Sequence, residues 1–154
     1  MDTPERIIVC DCDGCLTDGR LNIDLMGEKM FKSFHTRDVR AIRELVSCGF
    51  EFHIVTADDW EGGQAFAEKV GAGFLYLREK GKIRDYIGNE PFIAIGDDSW
   101  DIPMLRLASK AFVPMDGLPF SPYDLSFTRL KTKGGQGVIA ELAYTLLHAE
   151  KKIL

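Results

Sequence analysis

Residues 7–19 read IIVCDCDGCLTDG, and the fold is decided there. Arg6 to Cys10 (RIIVC) is a short β-branched, apolar run of the kind that forms a strand buried on both faces. Two acids, Asp11 and Asp13, follow it directly. In open parallel sheets the ligand crevice lies beyond the carboxyl ends of the strands, so this stretch predicts both a central strand and the place where chemistry gathers.

Outward from it the same pattern repeats. Glu51 to Val55 (EFHIV) and Pro91 to Ile95 (PFIAI) read as buried strands, Phe74 to Leu77 as a shorter one and Ala111 to Pro114 as a fifth. Arg37 to Ser47, Trp60 to Val70, Lys80 to Gly88, Trp100 to Ala108 and Gly137 to Glu150 have helical spacing. Strands alternating with helices predict an α/β, Rossmann-like three-layer sandwich around a central parallel sheet. Arg20 to Phe34 (RLNIDLMGEKMFKSF) departs from the alternation and reads as a β-hairpin about a Met-Gly turn, inserted after the first strand. Its apolar residues Leu21, Ile23, Leu25, Met30 and Phe31 need cover, from their own domain or from a partner subunit. The expectation is one domain over residues 1–154, with its hairpin at about 20–34 and no large cap domain.

With 154 residues, 45% hydrophobic and 28% charged, the chain has the proportions of a globular domain able to bury a core. No apolar run approaches the roughly 20 residues of a membrane span, and MDTPERII lacks the layout of a signal peptide. The chain therefore reads as cytoplasmic, without a membrane partner. A net charge of −5 supplies no basic stripe for nucleic acid. A small anionic ligand remains compatible with it, because local cations outweigh a mild overall charge. Of the four cysteines, Cys12 and Cys15 have the C-x-x-C spacing, but no second Cys or His pair completes a zinc site, and packing is the better reading.

Polar residues collect where the strands end: Asp11 and Asp13, Thr56, Asp97 and Asp98, with Asp101 one turn further on. Taken singly, Asp18 and Asp98 suit caps and turns. A pair of acids directly after a buried strand is poorly explained that way. Several carboxylates in one crevice repel each other, and a hard divalent cation with oxygen ligands, magnesium above all, relieves the conflict. A carboxylate so placed can attack phosphorus, a second can protonate the leaving oxygen and later deprotonate water, and a hydroxyl and a lysine can hold the phosphoryl group. Thr56 offers the hydroxyl; Arg78, Lys80 and Lys82 are candidates for the cation.

In this order DCDGCLTDG, IVT ending at Thr56, a lysine and GDDSWD resemble the haloacid dehalogenase superfamily of aspartate-nucleophile phosphatases, over nearly the whole chain. The resemblance implies Asp11 as nucleophile, Asp13 as general acid/base and Thr56 as a phosphoryl contact. It implies magnesium held by Asp11, Asp97 and the backbone carbonyl of Asp13, with Asp98 and Asp101 in support. LYLREKGKI places the family lysine at Lys82, with Lys80 as the alternative. LTDGRL, FHTRD and KGGQG (Lys133 to Gly137) are similar to the small capless branch that includes 3-deoxy-D-manno-octulosonate 8-phosphate phosphatase and the phosphatase-like domains of sialic acid metabolism. That likeness implies a homotetramer through the hairpin, neighbouring subunits closing each site, and His35, Arg37 and Asp38 on the substrate side. The other reading of Arg37 and Asp38 is helix-start capping with a surface ion pair.

Three positions depart from the branch. Thr56-Ala57-Asp58 stands where Thr-Gly-Arg is usual, an apolar residue near Phe66 replaces a later arginine, and Gln136 stands in GGQG where the branch has GGRG. An acid where a cation would meet an anionic sugar acid turns attraction into repulsion. The expected function is magnesium-dependent hydrolysis of a small-molecule phosphate ester, a sugar phosphate or sugar-acid phosphate, through an aspartyl-phosphate. The alternatives are a weakly catalytic or regulatory relative and a mutase-type phosphoryl transferase. A response-regulator receiver fits less well, because its acidic pair precedes the phosphorylated aspartate.

Overall fold

The computed structural model describes residues 4–118 and 126–148. Six parallel strands form one sheet: β1 (Ile7–Asp11), β4 (Glu51–Thr56), β5 (Gly73–Tyr76), β6 (Phe92–Ile95), β7 (Lys110–Val113) and β8 (Thr128–Arg129), in the order β5-β4-β1-β6-β7-β8. β1 lies at the centre, with Asp11 opposite Val55 of β4 and Cys10 opposite Ile95 of β6. Its five residues are all buried, as a strand flanked on both faces requires.

Alternation along β1 builds two cores. Ile8 and Cys10 pack with Ile42 and Leu45 of α1 (Thr36–Ser47), Phe66 and Val70 of α2 (Glu61–Val70), and Ile139 and Leu142 of α5 (Val138–His148). Ile7 and Val9 face the other way, onto Ile83 beside α3 (Arg84–Ile87) and onto Ile102, Met104 and Leu105 of α4 (Ile102–Leu107). The three-layer sandwich expected from the sequence is the one present. Buried Cys10, Cys12 and Cys15 are free thiols packed in the first core.

Several boundaries differ. The helix expected over Lys80 to Gly88 is a 3-10 turn, Lys80–Lys82, followed by the four-residue α3. Ser99–Asp101 is likewise a 3-10 turn ahead of α4, whose Pro103 suits a helix's first turn. Strand β8 was not expected, since two exposed residues carry no apolar pattern. The expected helix end at Glu150 lies outside the described residues.

The hairpin is a separate antiparallel pair, β2 (Asn22–Ile23) and β3 (Lys29–Phe31). Its turn is organised by Asp24, whose Oδ1 accepts from the backbone N–H groups of Met26 at 2.8 Å and Glu28 at 3.0 Å. Leu21, Ile23, Leu25, Met26, Met30 and Phe31 are all exposed, without cover from the described residues.

Candidate active site

The two-residue period of β1 aims Asp11 at the face of the sheet that carries α4 and the Lys80–Lys82 turn. Asp11 is buried there, and its Oδ1 accepts from the Lys80 ammonium at 2.7 Å. The same ammonium donates to Asp101 Oδ1. The second oxygen of Asp101 accepts from the backbone N–H groups of Asp97 at 2.9 Å and Asp98 at 3.1 Å, which fixes the loop after β6. Asp98 is exposed and caps its own turn through the Ser99 N–H. Asp101 and Asp98 thus support the loop that presents Asp97.

Lys80, and not the expected Lys82, reaches the strand ends. The Lys80 side chain is 4% exposed, whereas that of Lys82 is 61% exposed and pairs with Glu79 at 3.1 Å. In a 3-10 turn, residues two apart point to different sides, so only one of the pair can face Asp11. Burial works against the charge on Lys80, yet Asp11 and Asp101 hold its pKa above the usual lysine range.

Asp13 follows on the turn Cys12–Leu16, half-buried at the crevice. Its Oδ1 accepts from the Thr17 hydroxyl at 3.2 Å and its Oδ2 from the Lys32 ammonium at 2.8 Å. Thr56 is buried at the end of β4, and its Oγ1 accepts from the Asp58 N–H at 3.0 Å. Asp11, Asp13, Thr56, Lys80 and Asp97 line one crevice of about 580 Å³, with Arg78 and the exposed Trp100 also on its wall.

Two glycines let this loop close. Gly14 has φ +87°, and a Cβ there would lie 1.7 Å from Asp97 Oδ2, so only glycine admits the Asp97 carboxylate. A Cβ on Gly134 would lie 1.9 Å from the Gly14 carbonyl oxygen, while the Gly135 N–H donates to the Cys15 carbonyl at 3.0 Å. The KGGQG segment is therefore the support beneath the Asp11–Gly19 loop, and Gln136 within it is exposed.

His35, Arg37 and Asp38 are not brought to this crevice. His35 caps α1, its Nδ1 accepting from the Arg37 N–H at 3.1 Å, and Arg37 is exposed on a different face, beside Tyr144 and His148. Asp38 is fully buried, and its Oδ1 accepts from the N–H groups of Ile139 at 2.9 Å and Ala140 at 3.1 Å, tying the start of α5 to α1. Burial pushes its carboxyl up to about 6 despite those bonds. Capping, the other reading of these residues, describes the single chain. Phe66 is buried in the core and stacks on Phe34 with ring centroids 3.7 Å apart.

Asp58 lines the crevice without being an uncompensated acid. Lys29 donates to its Oδ1, and Lys32 to its Oδ2 at 2.6 Å. Against burial, these two ammonium groups hold its carboxyl below the usual range. The repulsion expected at this position is met from within the chain. Lys32 and Thr17 are site residues that the sequence reading did not single out; Thr17 lies within DCDGCLTDG, whereas Lys32 lies in no motif.

The acids that resemblance assigns to magnesium suit a hard cation. Asp97 Oδ1 is buried with no hydrogen-bond partner among the described residues. Carboxylate oxygens of Asp11 and Asp97 and the Cys15 sulfur lie within 4.8 Å of one another. Burial and neighbouring Asp101 push the Asp11 carboxyl well above its ordinary range against the pull of Lys80, and burial pushes Asp97 up to about 6. Carboxylates that resist ionising together, one with an orphan oxygen, fit a divalent cation.

Fold and site together define an α/β protein with a carboxylate at the end of its central strand, a buried lysine against it and a cation-ready acid on the neighbouring loop. No family model matches the chain. Over 160 residues it is 29% identical to 3-deoxy-D-manno-octulosonate 8-phosphate phosphatase of Haemophilus influenzae, covering 96% of this chain and 85% of that protein. The cobalt-bound structure of the deoxy-D-mannose-octulosonate 8-phosphate phosphatase from Haemophilus influenzae superposes with TM-score 0.85 at 27% identity, over 96% of this chain and 90% of the other. A putative haloacid dehalogenase superfamily hydrolase from Legionella pneumophila gives TM-score 0.84 at 26% identity, over 96% and 85%. By sequence and by structure the chain is similar to the haloacid dehalogenase superfamily, in the capless branch that includes octulosonate 8-phosphate phosphatase.

Proposed function

We propose that the chain, one phosphatase-like domain, is a magnesium-dependent phosphomonoester hydrolase working through an aspartyl-phosphate on Asp11. The observation that carries this is the Asp11–Lys80–Asp101 arrangement at the end of β1, with Asp13, Thr56 and Asp97 on the same crevice. Asp11 attacks phosphorus; its new O–P bond forms as the P–O bond to the leaving group breaks, and Asp13 protonates the departing oxygen. Asp13 then takes a proton from water, which displaces phosphate and restores the Asp11 carboxylate. Thr56 and Lys80 hold the phosphoryl oxygens. Asp11, Asp97 and the Asp13 carbonyl would bind magnesium, which offsets the charge of nucleophile and phosphate.

The crevice suits a small ester, and the octulosonate phosphatase likeness supports a sugar phosphate or sugar-acid phosphate as substrate class. A homotetramer of this chain supplies the missing cover for Leu21, Ile23, Leu25, Met30 and Phe31. No helix among the described residues is long and apolar enough to cross a membrane. With the acidic net charge, that supports a cytoplasmic enzyme that binds neither nucleic acid nor membrane. A panel of phosphate monoesters, assayed with magnesium and with EDTA, tests the reading. Magnesium-dependent release of phosphate from at least one ester, abolished by EDTA, is expected; no turnover on any ester would refute it.

A further inference from the structure

We propose that Lys32 and Asp58 are positioning residues for Asp13: the hairpin delivers an ammonium that holds the acid/base carboxylate, and Asp58 holds that ammonium. The inference rests on the reading of Asp13 as general acid/base. Lys32 follows directly on β3, and its side chain is only 5% exposed, with its Nζ 2.8 Å from Asp13 Oδ2 and 2.6 Å from Asp58 Oδ2. The indole of Trp60 lies 5.4 Å from the same Nζ. Two of the three ammonium donors thus have carboxylate partners and a ring walls the third side, which is the arrangement a nearly buried lysine needs.

Each oxygen of Asp13 has its own donor. Thr17, from the same loop, takes Oδ1; Lys32, from the hairpin, takes Oδ2. The carboxyl plane is therefore fixed from two sides, although the Asp13 side chain is 38% exposed and would otherwise turn freely. An acid/base must keep hydrogen-bond reach of the proton it moves, and a misplacement of about 1 Å can cost on the order of 100-fold. Asp58 is itself anchored, its Oδ1 accepting from the Trp60 N–H at 3.2 Å and from Lys29. It makes the ammonium a fixed point rather than a flexible tail that follows Asp13. The acid that replaces the branch's arginine thereby gains a role inside the chain.

A lysine that only staples the hairpin to the sheet would leave the proton-transfer step untouched, so leaving-group dependence separates the two roles. We would measure kcat/KM, which reports the step up to aspartyl-phosphate formation, on two esters of similar size. 4-Nitrophenyl phosphate has a leaving group that needs no proton; benzyl phosphate has one that does. For Asp58→Asn and for Lys32→Gln, kcat/KM on benzyl phosphate should fall about tenfold or more, and on 4-nitrophenyl phosphate by less than about threefold. Lys32→Arg should restore most of the benzyl rate. Asp58→Asn keeps the shape and one acceptor at the crevice wall, so it stands if Lys32→Gln fails to fold, as read by circular dichroism. Equal losses on both esters, or none on benzyl phosphate, would overturn the positioning role alone. A wild-type protein that turns over no phosphate monoester, neither these two nor any of the wider panel, would overturn the acid/base reading, and this inference with it.

Discussion

The Asp11–Gly19 loop and the hairpin at 20–34 are neighbours in sequence and opposites in construction. In the loop, Cys12, Cys15, Leu16 and Thr17 are buried, Gly14 lies against Asp97, and Gly134 presses on the Gly14 carbonyl. In the hairpin six large apolar residues stand in solvent, and its strands are tied to the sheet by polar contacts, Lys29 and Lys32 on Asp58 and Lys32 on Asp13, with Phe34 at its end stacked on Phe66. The loop is specified by contacts within the chain, as a close-packed interior requires. The hairpin carries an exposed apolar surface, together with one lysine that reaches back into the site. A fold can hold its chemistry rigidly while leaving part of the crevice wall to an element that meets the core only at its end.

The largest effect is expected at Lys80, the cation against which the first residue of the Asp11–Gly19 loop is held. Lys80→Met leaves Asp11 and Asp101 buried without their cation, and chemical denaturation should show a loss of about 3–5 kcal/mol along with loss of phosphatase activity. Lys82→Met, at an exposed pair, should stay within about 0.5 kcal/mol. Equal effects at the two positions would dissolve the distinction drawn between them.

Asp38 gives an intermediate effect. Asp38→Ala leaves the Ile139 and Ala140 N–H groups without an acceptor and should cost about 1–3 kcal/mol. Burial puts the folded carboxyl at about 6, above its unfolded value, so the folded state disfavours the ionised form. The contribution of this group is then fully present below the unfolded value and is lost as pH rises through about 6. Denaturation curves of wild type and Asp38→Asn, compared across that window, should differ in slope; parallel curves would show that Asp38 titrates normally.

The smallest effect on the chain itself is expected in the hairpin. Leu25→Glu with Phe31→Lys should convert a tetramer to smaller species on sizing, while each chain changes stability by only about 0.5 kcal/mol. A wild-type monomer would leave the apolar hairpin unexplained and remove the proposed tetramer.

How far the sequence spoke follows the same division. The IIVCD run, the acids after β1 and β6, and Thr56 at the end of β4 were legible because buried strands have a pattern and crevices a fixed place relative to them. The choice between Lys80 and Lys82 was not, because it depends on the sense of a three-residue 3-10 turn. Asp38 read as a substrate residue since resemblance carries residue types, not side-chain directions. Lys32 and Asp58 meet across 26 residues through a hairpin docking that no local rule contains.

The central claim is that Asp11 is the nucleophile. Its most direct test is acid-quenched single turnover of Asp13→Asn, which is expected to slow hydrolysis of the aspartyl-phosphate, followed by mass spectrometry of the peptide that carries residues 7–19. A phosphoryl adduct on Asp11, absent in Asp11→Asn, is the predicted result. An adduct on another residue, or steady turnover by Asp11→Asn at the wild-type rate, would contradict the account.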